Sequence, residues 1–516
     1  MSIRAVAFLA TFLLLSASAH AQLSFGGHPL GMDRSLALPE APVAVMPPID
    51  QAAIDARDAA TRASGAKGPF WYGYNHTTDL SLENSGVWHT MSNGDRVWRL
   101  AIECPGAYSI NLQFLDYIIP DGAQVFVYNN EDVLGGFEAN SNPGHTELGV
   151  DLLAGDRVTV EYVEPARVAG QGRLQIGQVT HGYKDVLGTT RGLGDSGSCN
   201  NNVICPIGDP WRDQIRSVAI VLTQGGLCTG QLLNNCNNDG TPYFLTANHC
   251  LDNSTNWVFR FNWNSPSCPN NLNAPYQSLS GYTLLENSGG SDVALLELNT
   301  TPPVNYNVFY SGWDRSTSPA SSATGIHHPS GDVKKISLEE QAVVSSTYGS
   351  AQTWRVPGWD DGTTEAGSSG SGLWNQDGSL VGQLYGGDAS CEYNFNDHYG
   401  KFSVSFPLLS EWLGSCGTQL QGYPASGVGI QDEVVADRVQ ILPNPTAGLV
   451  TILLPQGLVQ SDLRVIDAVG RTVVQHTIGQ GTERLSLDLT GQGAGAYAVE
   501  VTTNGSRIVE RLVITR

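Results

Sequence analysis

Tyr243-Phe244-Leu245-Thr246-Ala247-Asn248-His249-Cys250 ends an apolar run on a histidine beside a cysteine. Far downstream stands Gly367-Ser368-Ser369-Gly370-Ser371-Gly372, a serine framed by glycines. Between the two, Ser291-Asp292-Val293-Ala294-Leu295-Leu296 puts an aspartate just ahead of a strand-like apolar run. A serine hydroxyl is a poor nucleophile unless an imidazole lies within hydrogen-bond reach. The imidazole in turn needs an acid to fix its tautomer. His249, Asp292 and Ser369 supply those three groups. Each alone has an ordinary reading: a core histidine, an aspartate before a strand, a flexible glycine loop. Together, in a cysteine-rich stretch, they predict a nucleophilic site. Ser369 is preferred over Ser368 and Ser371 because it stands third in Gly-x-Ser-Gly. A tetrahedral intermediate also needs two backbone donors aimed at its oxyanion, and the N–H groups of Gly367 and Ser369 are the candidates.

Bulk properties narrow the class. Among 516 residues the net charge is −22, which argues against nucleic acid as a partner, because phosphate binding needs a basic surface. Only 15% of residues are charged and 59 are glycine, a balance that suits strands and turns and predicts an all-β chain. The length allows roughly three domains at about 150 residues each. Arg4, the apolar stretch Ala5 to Leu15 and the small-x-small site Ala19-His20-Ala21 predict a secretory signal over residues 1–21. That stretch is too short to span a bilayer and no later one is long enough, so no transmembrane segment is expected in the mature chain. Export makes disulfides feasible, and nine cysteines leave one over.

From Gln22 to about Gly68 the sequence is rich in Ala, Pro and Asp without a clean period. It predicts a loosely ordered leader with one short helix near Ile54 to Ala63. From Trp71 to about Tyr183, alternation in Val97 to Ile102, Ser109 to Phe114, Ala123 to Tyr128 and Arg157 to Tyr162 predicts a small β-sandwich holding Cys104. A Gly-rich joint, Leu187 to Gly197, leads into Cys199 to Cys416, with many short strands, eight cysteines and a short helix near Leu408 to Trp412. A linker follows. Strand-like runs at Val450 to Leu454, Leu463 to Ile466, Tyr497 to Val501 and Ile508 to Thr515 predict a second, C-terminal β-sandwich. The expected division is 1–21 signal, 22–191 N-terminal segment, 192–418 catalytic region, 419–438 linker and 439–516 C-terminal domain.

The chain order His, Asp, Ser is that of chymotrypsin-type serine proteases. Within that group, Cys199 to about Trp412 resembles the bacterial lysyl endopeptidases. The likeness rests on Gly197-Ser198-Cys199, Val203-Ile204-Cys205-Pro206, Cys228-Thr229-Gly230, Gly312-Trp313-Asp314-Arg315, Ile326-His327-His328-Pro329 and Thr364-Glu365, beside the motifs quoted above. The resemblance implies a chymotrypsin-like double β-barrel with the site in the cleft, no cofactor, and protein or peptide substrates. It implies bridges Cys199–Cys391, Cys205–Cys268 and Cys228–Cys250. Cys236 and Cys416 then remain and are expected to pair, leaving Cys104 as a buried thiol. It also implies that residues 22–191 are a removable propeptide, with Lys184 and Arg191 as candidate cut sites. Activation should not rest on the trypsin-type amine–carboxylate pair, because Ser368 stands where trypsin-like zymogens carry an aspartate.

A basic side chain in a buried pocket needs a carboxylate, or desolvation excludes it. Thr363, at the usual trypsin floor position six before the nucleophile, carries no charge. The family resemblance places the acid downstream, in Asn396-Asp397-His398-Tyr399-Gly400, and so implies Asp397, with Asp388 and Glu392 as competitors nearby. Leu384-Tyr385-Gly386-Gly387 resembles the pocket strand. The family has a histidine at Tyr385, stacked on a tryptophan. Here the matching partner region is Ser346-Thr347-Tyr348-Gly349, so Arg as well as Lys becomes a candidate substrate residue. Adjacent His327 and His328 would face opposite ways on a strand and make a poor chelating pair, so no metal is expected.

Ile441-Leu442-Pro443-Asn444-Pro445-Thr446, Val465 to Arg471 and Gly495-Ala496-Tyr497-Ala498-Val499 resemble the blocks of a type IX secretion sorting domain. This implies export through the periplasm and across the outer membrane, with the type IX machinery as partner. The competing reading is a non-catalytic surface or adhesive protein built on a protease-like fold.

Overall fold

Alternation between inward and outward residues sets the strands of the N-terminal region. In Arg96–Glu103, Trp98, Leu100 and Ile102 point to the core, and in the paired strand Arg157–Glu164 so do Val158, Val160 and Tyr162. The two run antiparallel, from Arg157 opposite Glu103 to Glu164 opposite Arg96. They belong to a sheet with Val43–Val45, Val87–Thr90, Gln124–Tyr128 and Val133–Phe137. A second sheet holds Gly73–Ser81, Ser109–Ile118, Leu148–Gly149, Leu153–Ala154 and Arg173–Gly182. Both sheets send side chains into one apolar core, where Cys104 lies buried as a free thiol. In this computed structural model the described residues are 20–22, 26–63, 68–188, 196–271, 274–425 and 440–515, except 443, 445, 447, 455–460, 468–470, 480, 483 and 504–505. Residues 1–19 of the signal-like segment, Arg191, Pro443 and Pro445 therefore lie outside them.

The leader is more ordered than its composition predicts. Val43–Val45 pairs in parallel with Ala101 to Glu103. The backbone N–H groups of Leu30 and Gly31 donate to the Glu161 carboxylate at 2.5 and 2.8 Å. Burial raises the Glu161 pKa, and the leader's amides join the Tyr128 hydroxyl, 3.0 Å from Oε2, in donating to this carboxylate. The helix spans Gln51–Ala63, longer than expected at its start.

Two larger sheets build the central region. One contains Val218–Leu222, Gly226–Leu233, Tyr243–Ala247, Val258–Phe261, Tyr276–Ser280, Tyr282–Ser288 and Val293–Leu298. It also takes in His20–Gln22 and Phe70–Trp71 from the N-terminal region, giving nine strands. The other is ten-stranded and includes Ala323–His327, Lys335–Glu339, Val344–Tyr348, Ala351–Gly358, Gly372–Asn375, Leu380–Gly387 and Phe395–Lys401. Val218–Leu222 is buried at every position, which explains its unbroken apolar run. Leu245, Val293 and Leu295 of the first sheet meet Ile326, Ile336 and Trp374 of the second in a shared core. The helix Phe402–Leu413 closes that core with Phe402, Phe406, Leu409 and Leu413. The run Leu408 to Trp412, expected to be part of a short helix, lies within it.

Four disulfides join Cys199–Cys391, Cys205–Cys268, Cys228–Cys250 and Cys236–Cys416. The described residues up to Ala425 form one compact unit. The expected linker start at 419 is not loose: Gln419–Leu420 pairs with Trp313–Asp314, and Tyr423–Pro424 with Phe309–Tyr310.

The second unit is also β. Gln440–Leu442, Leu449–Leu453 and Arg484–Asp488 form one sheet; Ser461–Asp467, Thr472–Ile478, Gly495–Thr503 and Ser506–Ile514 form another. Ile452, Leu463, Val465, Val499, Val501 and Leu512 share its core. Among the described residues no helix is long and apolar enough to cross a membrane.

Candidate active site

Strand pairing brings the first two candidate residues together. Tyr243–Ala247 runs antiparallel to Val293–Leu298, with Ala247 opposite Val293. His249 and Asp292 therefore emerge just beyond the same end of the pair. The Asn248 N–H donates to the Asp292 carbonyl at 2.9 Å, and the His249 N–H to Asp292 Oδ1 at 3.0 Å. The ring Nδ1 of His249 lies 2.7 Å from Asp292 Oδ2. Asp292 sits at φ +54°, a left-handed conformation that aspartate tolerates better than most residues. One buried carboxylate thus fixes both the backbone and the ring of His249. With Nδ1 as donor, the lone pair stays on Nε2.

The serine turn is held against the same strands. Ser369 offers its carbonyl to the Thr229 N–H at 2.8 Å, and Thr229 Oγ1 donates to the Gly367 carbonyl at 2.8 Å. The Cys228–Cys250 bridge joins the neighbours of Thr229 and His249. Gly370 has φ +83°, and a Cβ there would stand 2.2 Å from Thr246 Oγ1 and 2.4 Å from the Thr229 carbonyl oxygen. Only glycine lets the turn approach so closely. Ser369 Oγ and His249 Nε2 are both buried, and neither has a hydrogen-bond partner. The aspartate–histidine link is made; the histidine–serine link is open. Catalytic hydrogen bonds of this kind often tighten only when substrate is bound.

Ser368, adjacent, has a different task. Its Oγ lies 2.8 Å from His327 Nδ1 and accepts from the Glu365 N–H at 3.2 Å. His327 Nε2 lies 3.1 Å from Ser337 Oγ, so both ring nitrogens face hydroxyls. His328 stacks on Trp263 with centroids 5.9 Å apart and is kept neutral chiefly by burial. Of the candidate oxyanion donors, the Gly367 N–H points to the Gly68 carbonyl at 3.1 Å.

Asp397 lies on Phe395–Lys401, opposite Gly387 on one side and Val356 on the other. It is fully buried, and its Oδ2 accepts from Trp359 Nε1 at 2.9 Å and Thr364 Oγ1 at 2.5 Å. Any side chain at Gly387 would collide with it, since a Cβ there would be 2.4 Å from Asp397 Oδ1. Asp388 and Glu392 are exposed. Thr363 is buried too, its carbonyl accepting from Ser337 Oγ at 2.7 Å. Tyr385 stacks on His249 at 5.8 Å, and Tyr348 meets Tyr385 edge-on at 5.2 Å. Tyr348 also stacks on His398 at 4.8 Å, and burial lowers the His398 pKa. A Cβ on Gly386 would come within 3.1 Å of Tyr348. An aromatic row, His249–Tyr385–Tyr348–His398, thus runs from the histidine toward the strand of Asp397.

Sequence reading missed Trp359, His398 and Gly68. A tryptophan N–H beside a carboxylate 38 residues away, or a glycine carbonyl from the leader, leaves no local pattern.

Comparison with known proteins finds two family matches. Residues 193–403 match the family described as lysyl endopeptidase, C-terminal domain, and residues 440–515 match the secretion system C-terminal sorting domain. The chain is 35% identical over 291 residues to a lysyl endopeptidase of Pseudomonas aeruginosa, a match covering 51% of this chain and 62% of that relative. The match thus spans less than two thirds of the relative's length. Among solved structures, the Rv3671c protein of M. tuberculosis H37Rv, in its inactive form, is 13% identical over 42% of this chain and 96% of its own, at a TM-score of 0.29. The MamO protease domain of Magnetospirillum magneticum is 13% identical over 38% of this chain and 97% of its own, at 0.27. Likeness at these TM-scores bears on neither fold nor activity.

Proposed function

We propose that the chain is an exported serine endopeptidase that cuts after Lys, with Arg as the second candidate. His249 takes the Ser369 proton as Ser369 attacks the carbonyl carbon. Asp292 orients the imidazole and stabilises its charged form. The N–H groups of Gly367 and Ser369 receive the oxyanion. His249 then protonates the leaving nitrogen, and water resolves the acyl-enzyme. Asp397 receives the substrate ammonium, and Tyr385 and Gly386 border the extended substrate, with Thr363 at the pocket floor. The finer fold in this reading is a chymotrypsin-like double β-barrel over 192–418, flanked by an N-terminal β-sandwich and a C-terminal sorting β-sandwich.

The observation that carries the reading is the 2.7 Å approach of His249 Nδ1 to Asp292 Oδ2 beside the glycine-framed Ser369 turn. The 35% identity to a lysyl endopeptidase supports the substrate class. A serine-directed organophosphate should label Ser369, and new C-termini in a digested peptide mixture should be Lys, with or without Arg. No labelling, or termini without a basic preference, would end it.

Residues 22–191 serve as a propeptide in this reading, and 439–516 carry the enzyme across the outer membrane through the type IX machinery. The match of 440–515 to a sorting domain supports that route. Removing 439–516 should leave the protein in the periplasm. N-terminal sequencing of the mature enzyme should find a start near the joint, not at Gln22.

A further inference from the structure

The segment Gly68–Trp71 crosses the face of the serine turn. Its Gly68 carbonyl accepts from the Gly367 N–H at 3.1 Å. Beyond it, Phe70–Trp71 pairs antiparallel with Gly226–Leu233, Phe70 opposite Leu227 and Trp71 opposite Gly226. The Tyr72 N–H continues the contact, donating to the Gly225 carbonyl at 2.9 Å. A Cβ on Gly367 would stand 3.2 Å from Phe70 Cβ, and one on Gly226 would stand 3.1 Å from Pro69 Cβ. The segment is thus pressed between the serine turn and the strand that leads into Cys228.

We infer that Gly68–Trp71 is bound in the direction of a substrate, with Gly68 as the acyl residue and Pro69 as the leaving residue, and that the Gly68–Pro69 bond keeps it from being cut. The inference rests on the reading of Ser369 as nucleophile. Acyl transfer would form the Ser369 Oγ–carbon bond, break the carbon–nitrogen bond and pass a proton from His249 to the nitrogen. At Pro69 that nitrogen carries a ring carbon where an ordinary substrate carries hydrogen, and the ring fixes φ and crowds the preceding residue. Gly68 also has no side chain to reach Asp397, so the transition state gains nothing from the pocket. The groove is filled by strand addition, as an extended peptide adds to a sheet edge. The same register predicts that, once the segment leaves, an apolar residue second after the cut takes the place of Phe70.

The test uses the full chain carrying Gly68→Lys with Pro69→Ala. A fragment starting at residue 69 is expected by mass spectrometry, absent from the unaltered chain and absent when Ser369→Ala is added. If the double variant stays whole at that bond while the matured enzyme cuts an external Lys peptide, the inference is overturned and the protease reading stands. If no preparation cuts Lys or Arg peptides, the protease reading fails and the inference with it. A second measurement covers a misfolded variant: organophosphate labelling of Ser369 in the uncut chain should speed up roughly tenfold or more in Phe70→Gly/Trp71→Gly, as expected for loss of two half-buried aromatic contacts. Equal labelling rates would overturn the inference as well.

Discussion

Arg260 donates to Asp151 from Nε at 2.8 Å and from Nη2 at 2.5 Å, and both residues are buried. Asp151 belongs to the N-terminal region and Arg260 to the strand Val258–Phe261, so this pair joins the N-terminal sheets to the central sheets. Ser278 Oγ adds a third donor at 2.8 Å, and the guanidinium lies 4.3 Å from the Tyr276 ring centroid. Removing one partner leaves an uncompensated buried charge, which costs about 3–5 kcal/mol. Asp151→Ala should therefore lower the thermal midpoint of the uncut chain. Asp151→Leu with Arg260→Met should recover much of that loss.

Ser369→Ala should reduce kcat by roughly a millionfold, the scale seen when a triad nucleophile is removed. The thermal midpoint should stay close to that of the parent, since the Ser369 Oγ has no hydrogen-bond partner to lose. Steady-state assay on a Lys peptide and a melting curve read both.

Asp292→Asn should keep the fold and lower kcat about ten-thousandfold, because an amide favours the wrong imidazole tautomer. The His249 N–H bond to Oδ1 can persist in that variant, which separates the catalytic effect from a structural one.

On the proposed reading Asp397 supplies the charge of the substrate pocket, and Asp397→Asn keeps the side chain's shape while removing that charge. A substrate ammonium would then be buried unpaired, so kcat/KM on Lys peptides should fall at least about a hundredfold. Cleavage of peptides with an uncharged residue at that position should change far less. Equal losses on both would point to a distorted strand and not to lost charge recognition.

Burial lowers the Lys334 ammonium to about 7, and its Nζ donates to the Ile215 carbonyl at 2.7 Å. The folded pKa lies below the unfolded value of about 10.4. Between those two values the unfolded chain binds more protons, so stability from this group rises with pH from about 7 to 10 and is least below 7. Lys334→Met should flatten that part of the stability curve, as read by denaturant midpoints at pH 7 and pH 10.

The strands that place His249 and Asp292 were legible because both are buried runs of apolar residues ending on a polar one. Ser369 was legible from its glycines, and Gly370 shows why: its α-carbon packs against Thr246 and Thr229. Thr472–Ile478 and Arg484–Asp488 were missed because they are mostly exposed and carry few apolar residues in phase. The leader misled because its order comes from partners far along the chain, such as Glu161 for Gly31 and Glu103 for Val45. Local composition holds no trace of such distant pairing. Asp397 could be placed from the family pattern, but its donors Trp359 and Thr364 come from another loop and appear only in three dimensions.

All eight bridged cysteines lie between residues 199 and 416, and the ninth, Cys104, is free. No disulfide therefore ties the residues before Cys199 to the body that follows; only the backbone through the Gly-rich joint connects them. One scission there would turn a single molecule into a complex of two chains, subject to dilution. On the proposed reading, the moment at which the serine site is uncovered would then be set by an off-rate, and by how strongly the surroundings dilute or digest the departing piece.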